Sequence, residues 1–255
     1  MQVTNKKLGI AGGCFPVQEN IPAQELYHSI ISRRLTEELN ILSGISIIRY
    51  DTLKEGFDKT TELLSRESPD VLLFHIRPDP FLHNVKLYYR FINKSEIPDS
   101  RLNLHISGFT EPEVVVKNIT GTGKKKKRLT KNFFRTLNYL SGVLLLNYFI
   151  TVRNYFKLIS AIRALCTEKG ISLIVQGPPS RPRSALENGL LRKFGKRCRQ
   201  FSLKNDIEYV DCFGEYDFPG NNYIFIKDKI HINTYGHKWI AGKLYPALIK
   251  TFSAG

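Results

Sequence analysis

The block Asp228-Lys229-Ile230-His231-Ile232-Asn233-Thr234-Tyr235-Gly236-His237 sets an aspartate three residues before a histidine, on a turn that enters a helix. Such a carboxylate can fix the imidazole tautomer and leave the other ring nitrogen free as a general base. Asp228 and Asn233 would serve equally well as caps of the following helix, so the spacing alone leaves both roles open. A second block, Gly12-Gly13-Cys14-Phe15-Pro16-Val17-Gln18, follows a short apolar run. Two glycines permit a tight turn and close approach of a ligand to the backbone. A thiol at the start of the next segment lies near backbone N–H groups that favour a thiolate. A small buried thiol is the ordinary alternative, and it suits Cys166 and Cys198, which fall within helical patterns.

Two further blocks end apolar runs. Asp70-Val71-Leu72-Leu73-Phe74-His75-Ile76-Arg77-Pro78-Asp79 delivers a histidine, an arginine and an aspartate to one strand end, where Arg77 and Asp79 could simply pair. Ile174-Val175-Gln176-Gly177-Pro178-Pro179-Ser180 leads a strand into a rigid turn.

Positioning these blocks requires strands and helices in alternation. Apolar runs at 7–12, 45–50, 70–77, 171–176 and 207–212 read as strands. Several are continuous in Val, Ile and Leu, which suits a parallel sheet covered on both faces. Helical patterns fall at 23–39, where Leu26, Ile30, Ile31, Leu35 and Leu39 share roughly one face, and at 54–65. They recur at 132–168 (one helix or two), 192–203 and 236–251. The alternation predicts a three-layer α/β/α domain spanning 1–255. Residues 81–129 break the rhythm and read as a basic insertion after the third strand, a lid or docking segment carrying Lys124-Lys125-Lys126-Lys127-Arg128.

The chain has 255 residues, 42% hydrophobic and 24% charged, with a formal net charge of +15. That composition excludes collagen-like, disordered and disulfide-stapled classes, and the charge favours acidic partners. Four scattered cysteines make neither a CxxC pair nor a zinc-finger spacing, so no metal is expected. The apolar run 8–11 is too short for a signal peptide, and 137–150 is too short to span a bilayer, so a cytoplasmic location is expected.

Taken together, the four blocks resemble the SGNH, or GDSL-type, hydrolases. The C-terminal block matches the family's DxxHxNxxGH pattern, and the Gly12–Gln18 block stands where that family carries its nucleophile turn. The resemblance implies a flavodoxin-like sheet of order 2-1-3-4-5, no cofactor, and a triad of Cys14 as nucleophile, His231 as base and Asp228 as its orienter. The family's serine is therefore a cysteine here, in GGC. The oxyanion asparagine of the third block is also absent, because Ile76-Arg77-Pro78-Asp79 stands in its place and Pro78 has no donor. The Cys14 N–H would then need help from Gln18, His75 or Arg77, with Gly13 and Asn233 completing the substrate-binding set.

The implied activity is that of an ester or thioester hydrolase, or an acyltransferase, working through an acyl-cysteine. Its substrate would be a small acyl ester or thioester. Its wider partner would be an acidic acyl-carrier protein or an anionic membrane surface. The alternative is a binding protein that has kept the fold and lost the oxyanion machinery. No nucleic-acid motif is present, and none is expected as a partner.

Overall fold

The computed structural model describes residues 4–77, 147–180, 185–213, 224 and 231–253. The insertion 81–129, Pro78, Asp79 and Asp228 lie outside them, as do residues 132–146 of the expected long helix. Five strands form one parallel sheet: β1 (Thr4–Gly12), β2 (Ile41–Arg49), β3 (Val71–His75), β4 (Ser172–Gln176) and β5 (Glu208–Val210). Their order is β2-β1-β3-β4-β5, as the resemblance implies. Between and after them come α1 (Tyr27–Leu39), α2 (Leu53–Glu67), α3 (Asn147–Glu168), α4 (Ala185–Lys204) and α5 (Thr234–Ser253).

The period-2 alternation of strand side chains sorts the core into two halves. Leu8, Ile10, Val71, Leu73, Ile174 and Val210 point one way and pack with α1 and α5. Ala11, Leu72, Phe74 and Val175 point the other way and pack with α2, α3 and α4. The sheet is thus covered on both faces, which is why its central strands read as unbroken apolar runs.

Several boundaries move. β1 begins at Thr4, not Lys7, because its backbone ladder with β2 runs from Thr4↔Ile41 to Gly12↔Arg49, beyond the buried part. α1 begins at Tyr27, since residues 23–25 form a separate 3-10 turn. Leu39 does not join the buried face of α1: it ends the helix exposed, next to Asn40 in the left-handed conformation. β5 covers only three residues, so Cys212 lies beyond the strand, although it is fully buried. α4 starts seven residues earlier than the 192–203 pattern.

His237, in the first turn of α5, is fully buried and accepts the Tyr27 backbone N–H through Nδ1 at 3.2 Å. It therefore caps α1, whose first N–H groups have no partner within the helix. Its ring lies nearly parallel to that of Tyr27, 6.1 Å away. Burial, and then the nearby His28, push its pKa down to about 3. The native state holds this imidazole neutral, whereas the unfolded chain protonates it near 6.5. Its contribution is thus intact above that value and is lost as pH falls toward 3. Urea titrations at about pH 7 and about pH 5.5 should show the wild type losing about 1.4 kcal/mol per pH unit below roughly 6.5. His237→Gln should be less stable near neutral pH and should lose that pH slope. An unchanged slope in the variant would refute the assignment.

Candidate active site

The C-terminal ends of β1, β3 and β4 form one rim, the place where open α/β sheets bind ligands. β1 leads into Gly12, Gly13 and Cys14, and Cys14 precedes a 3-10 turn, Phe15–Val17, with Pro16 inside it. The Val17 N–H bonds back to the Cys14 carbonyl at 3.1 Å, which folds the chain over the strand end. Space is tight at both preceding positions. A Cβ on Gly12 would stand 3.1 Å from the His75 Cβ, and one on Gly13 would stand 3.0 Å from the Arg77 Nε. The turn that carries Cys14 is therefore pressed directly onto the end of β3.

His75 is 2% exposed and stacks on Phe15, ring centroids 5.4 Å apart. Its carbonyl accepts the Tyr50 hydroxyl at 2.6 Å. Arg77, expected as an anion binder, is 6% exposed and already engaged. Its guanidinium donates to the Tyr50 carbonyl and, at 2.6 Å, to the Asp51 carboxylate just beyond β2, while Tyr155 of α3 bonds its carbonyl at 2.7 Å. Arg77 thus joins the ends of β1, β2 and β3, and Asp51 neutralises its charge. Its partner is Asp51, which the sequence reading missed. The expected partner Asp79 lies outside the described residues. A charged residue just past a strand end was the available signal for Asp51.

Gln18 also has a structural bond. It is buried, and its Nε2 donates to the Ile232 carbonyl at 2.6 Å. That bond spans 214 residues of chain and ties the Cys14 turn to the segment holding His231 and Asn233. With one amide N–H so held, Gln18 is a strut between the Cys14 turn and the His231 segment. Cys14 and Ile232 also belong to the same packed cluster.

The His231 segment is fixed at the other end by α5. The Asn233 N–H donates to the Ile224 carbonyl at 2.9 Å, and its side-chain oxygen accepts the Gly236 N–H at 3.1 Å. Asn233 is therefore the N-cap of α5, so the capping alternative raised by the spacing holds for it. His231 itself is half-buried.

Gln176, at the end of β4, pairs in register with His75 and points to the same face. Its amide is fully buried and has no hydrogen-bond partner among the described residues; the same holds for the hydroxyl of Ser180. A polar residue closing an apolar strand was the only sequence signal for it.

The four thiols differ sharply. Burial pushes Cys166 up to about 12 and raises Cys198 and Cys212 as well, the last with added repulsion from Asp211. Cys14 alone is partly exposed. Iodoacetamide at neutral pH should therefore modify Cys14 in the native protein at least ~10-fold faster than the other three, since only thiolates react. Peptide mapping would read this, and labelling of Cys166 at an equal rate would contradict it.

No protein-family model matches the chain, and no curated protein sequence matches it. Solved structures do. TesA aligns over 96% of this chain and 99% of its own, with TM-score 0.60 and 11% identity. The lipase Lip_vut3 from a goat rumen metagenome aligns over 95% and 97%, with TM-score 0.62 and 11% identity. A catalytic mutant of an acetylxylan esterase from Geobacillus stearothermophilus aligns over 96% and 94%, with TM-score 0.57 and 12% identity. The fold is that of the SGNH-type esterases. At these identities the likeness is one of architecture. No helix among the described residues is long and apolar enough to cross a membrane.

Proposed function

We propose that the chain is an acyl-ester enzyme, an ester or thioester hydrolase or an acyltransferase, that works through a covalent acyl-Cys14. The observation that carries this reading is the Gln18–Ile232 bond, which binds the Cys14 turn to the His231 segment at the rim of an SGNH-type sheet. The names of the neighbours, a lipase and an acetylxylan esterase among them, support the reaction class.

In this mechanism the Cys14 sulfur attacks the carbonyl carbon while His231 takes the thiol proton. The tetrahedral intermediate collapses, the leaving alcohol or thiol departs with the proton from His231, and a thioester remains on Cys14. Water, or a second hydroxyl or amine, then attacks that thioester. His231 accepts the attacker's proton and returns it to the departing Cys14 sulfur. Asp228 holds His231 in the required tautomer. The oxyanion rests first on the Cys14 N–H, because Asp51 holds the Arg77 guanidinium and one Gln18 N–H is given to the Ile232 carbonyl.

Intact-mass spectrometry after acid quench tests the reading. Activated esters and acyl thioesters should each leave an adduct of one acyl group, absent from Cys14→Ala. No adduct from any donor, with Cys14 alkylating no faster than Cys166, would leave instead a binding protein on an esterase scaffold. The loss of the oxyanion asparagine at Pro78 favours that second reading.

A further inference from the structure

Among the described residues the positive charge is unevenly placed. On α2, cations and carboxylates alternate and pair, as in Lys59–Glu62 and Arg66–Glu62. On α3 and α4, Glu168 is the one carboxylate among the described side chains, while Arg153, Lys157, Arg192, Lys193, Lys196 and Arg199 are all exposed. The two helices lie side by side on the same face of the sheet, joined by the stacked rings of Phe156 and Phe201, 4.4 Å apart. Their outward sides therefore make one cationic surface. A face so one-sided in charge is an electrostatic footprint for an anionic partner.

The start of α3 adds a second, different feature. Phe149 is 39% exposed and Ile150 52% exposed, beside the cations, with the Arg197 guanidinium 5.1 Å from the Phe149 ring. Tyr155, further along α3, bonds the Arg77 carbonyl at the end of β3. At ~1.5 Å per residue, Phe149 and Ile150 stand about 8 Å beyond that level, past the sheet edge that carries Cys14. Exposed aliphatic and aromatic side chains flanked by cations are the pattern of a surface that lies on a bilayer and inserts shallowly.

We propose that the outward face of α3 and α4, led by Phe149 and Ile150, docks on an anionic membrane surface. The apolar tip favours lipid over a soluble acidic protein, because lysine and arginine alone would serve a protein partner. The docking surface stands on its own residues. The acyl-enzyme reading adds only that the ester would be presented on that membrane, beside Cys14.

Vesicle co-sedimentation decides it. The whole chain should bind phosphatidylcholine vesicles containing about one-third phosphatidylglycerol and should not bind pure phosphatidylcholine vesicles. Binding should fall steeply as NaCl rises from about 0.1 M to about 0.5 M, since salt screens the attraction. The double variant Lys193→Glu/Lys196→Glu should bind at least ~10-fold more weakly. Ile150→Ser should weaken binding several-fold while keeping its salt dependence. Both variants alter exposed positions, and an unchanged melting temperature confirms that they are folded. Cys14→Ala should bind like the wild type, so a failed nucleophile and a failed docking surface give different results. No binding to the anionic vesicles, or equal binding by Lys193→Glu/Lys196→Glu, overturns the proposal. Tight binding to a purified acidic acyl-carrier protein, lost in the same double variant and without vesicle binding, would overturn it in favour of a protein partner.

Discussion

Cys14→Ser should reduce kcat/KM toward an activated ester by at least ~100-fold, and His231→Ala by about 1000-fold. The serine variant is the more informative because it restores the residue type of the esterases this fold resembles. A hydroxyl is a much weaker nucleophile than a thiolate and depends more on its base and on oxyanion stabilisation. The donors expected from the sequence are weakened: Pro78 has none to offer, one Gln18 N–H is held by the Ile232 carbonyl, and the Arg77 charge is neutralised by Asp51. Losing one such donor typically costs ~10²–10³ in rate, and a serine placed here would bear that loss in full. A pre-steady-state burst should persist in the His231 variant only as a slowed phase. If Cys14→Ser matched or exceeded the wild type, the thiol would not be the feature that keeps the site active.

The second large effect is expected at Gly236. A Cβ there would sit 2.6 Å from the Ile224 carbonyl oxygen and 2.6 Å from the Ile232 Cβ, closer than such atoms approach in folded proteins. One of these obstacles is backbone, so the strain cannot be relieved by turning a side chain. The Ile224 carbonyl also accepts the Asn233 N–H, and Ile232 accepts the Gln18 amide. Gly236→Ala should therefore destabilise the fold by about 3 kcal/mol, or roughly 6–12 °C in melting temperature for a chain of this size. It should also lower activity beyond the folded fraction, because the His231 segment must shift. Gly242 lies in the same helix, and a Cβ on it would meet nothing within 4 Å. Gly242→Ala should stabilise by up to about 1 kcal/mol through helix propensity alone. Equal effects at the two glycines would show that the close approach at Gly236 does not constrain the site.

The parallel, doubly covered sheet was legible because the central strands are buried on both faces, and Leu72, Leu73 and Phe74 leave no polar alternation to mislead; the strand order came from the family resemblance alone. The strand starts were less so. Thr4, Asn5 and Lys6 are in β1 through backbone pairing with β2, not through burial, and hydrophobic patterning is blind to that. Leu39 failed because an apolar residue at a helix end need not face the core once Asn40 turns the chain. In the site, the Cys14 turn and the His231 segment were visible as motifs. The contacts that organise them were not. Arg77 reaches Asp51 across 26 residues and Gln18 reaches Ile232 across 214, and pairings at such distances leave no local signature. Gln18 shows the reverse difficulty: a polar residue beside a candidate nucleophile looks chemical in sequence, and the bond it makes is to the distant Ile232 carbonyl.

The 214-residue span of that strut also sets an order of events during synthesis. Cys14 leaves the ribosome early, and His231 follows only after all five strands have been made. At roughly 5–20 residues per second, the interval is on the order of 10–40 s. Through that time Leu8, Ile10 and their neighbours lack the cover of α5, and the Cys14 turn lacks its strut. Nascent chains thus carry the Cys14 thiol before α5 can cover the sheet, and the proposed acyl chemistry has to wait for that closure.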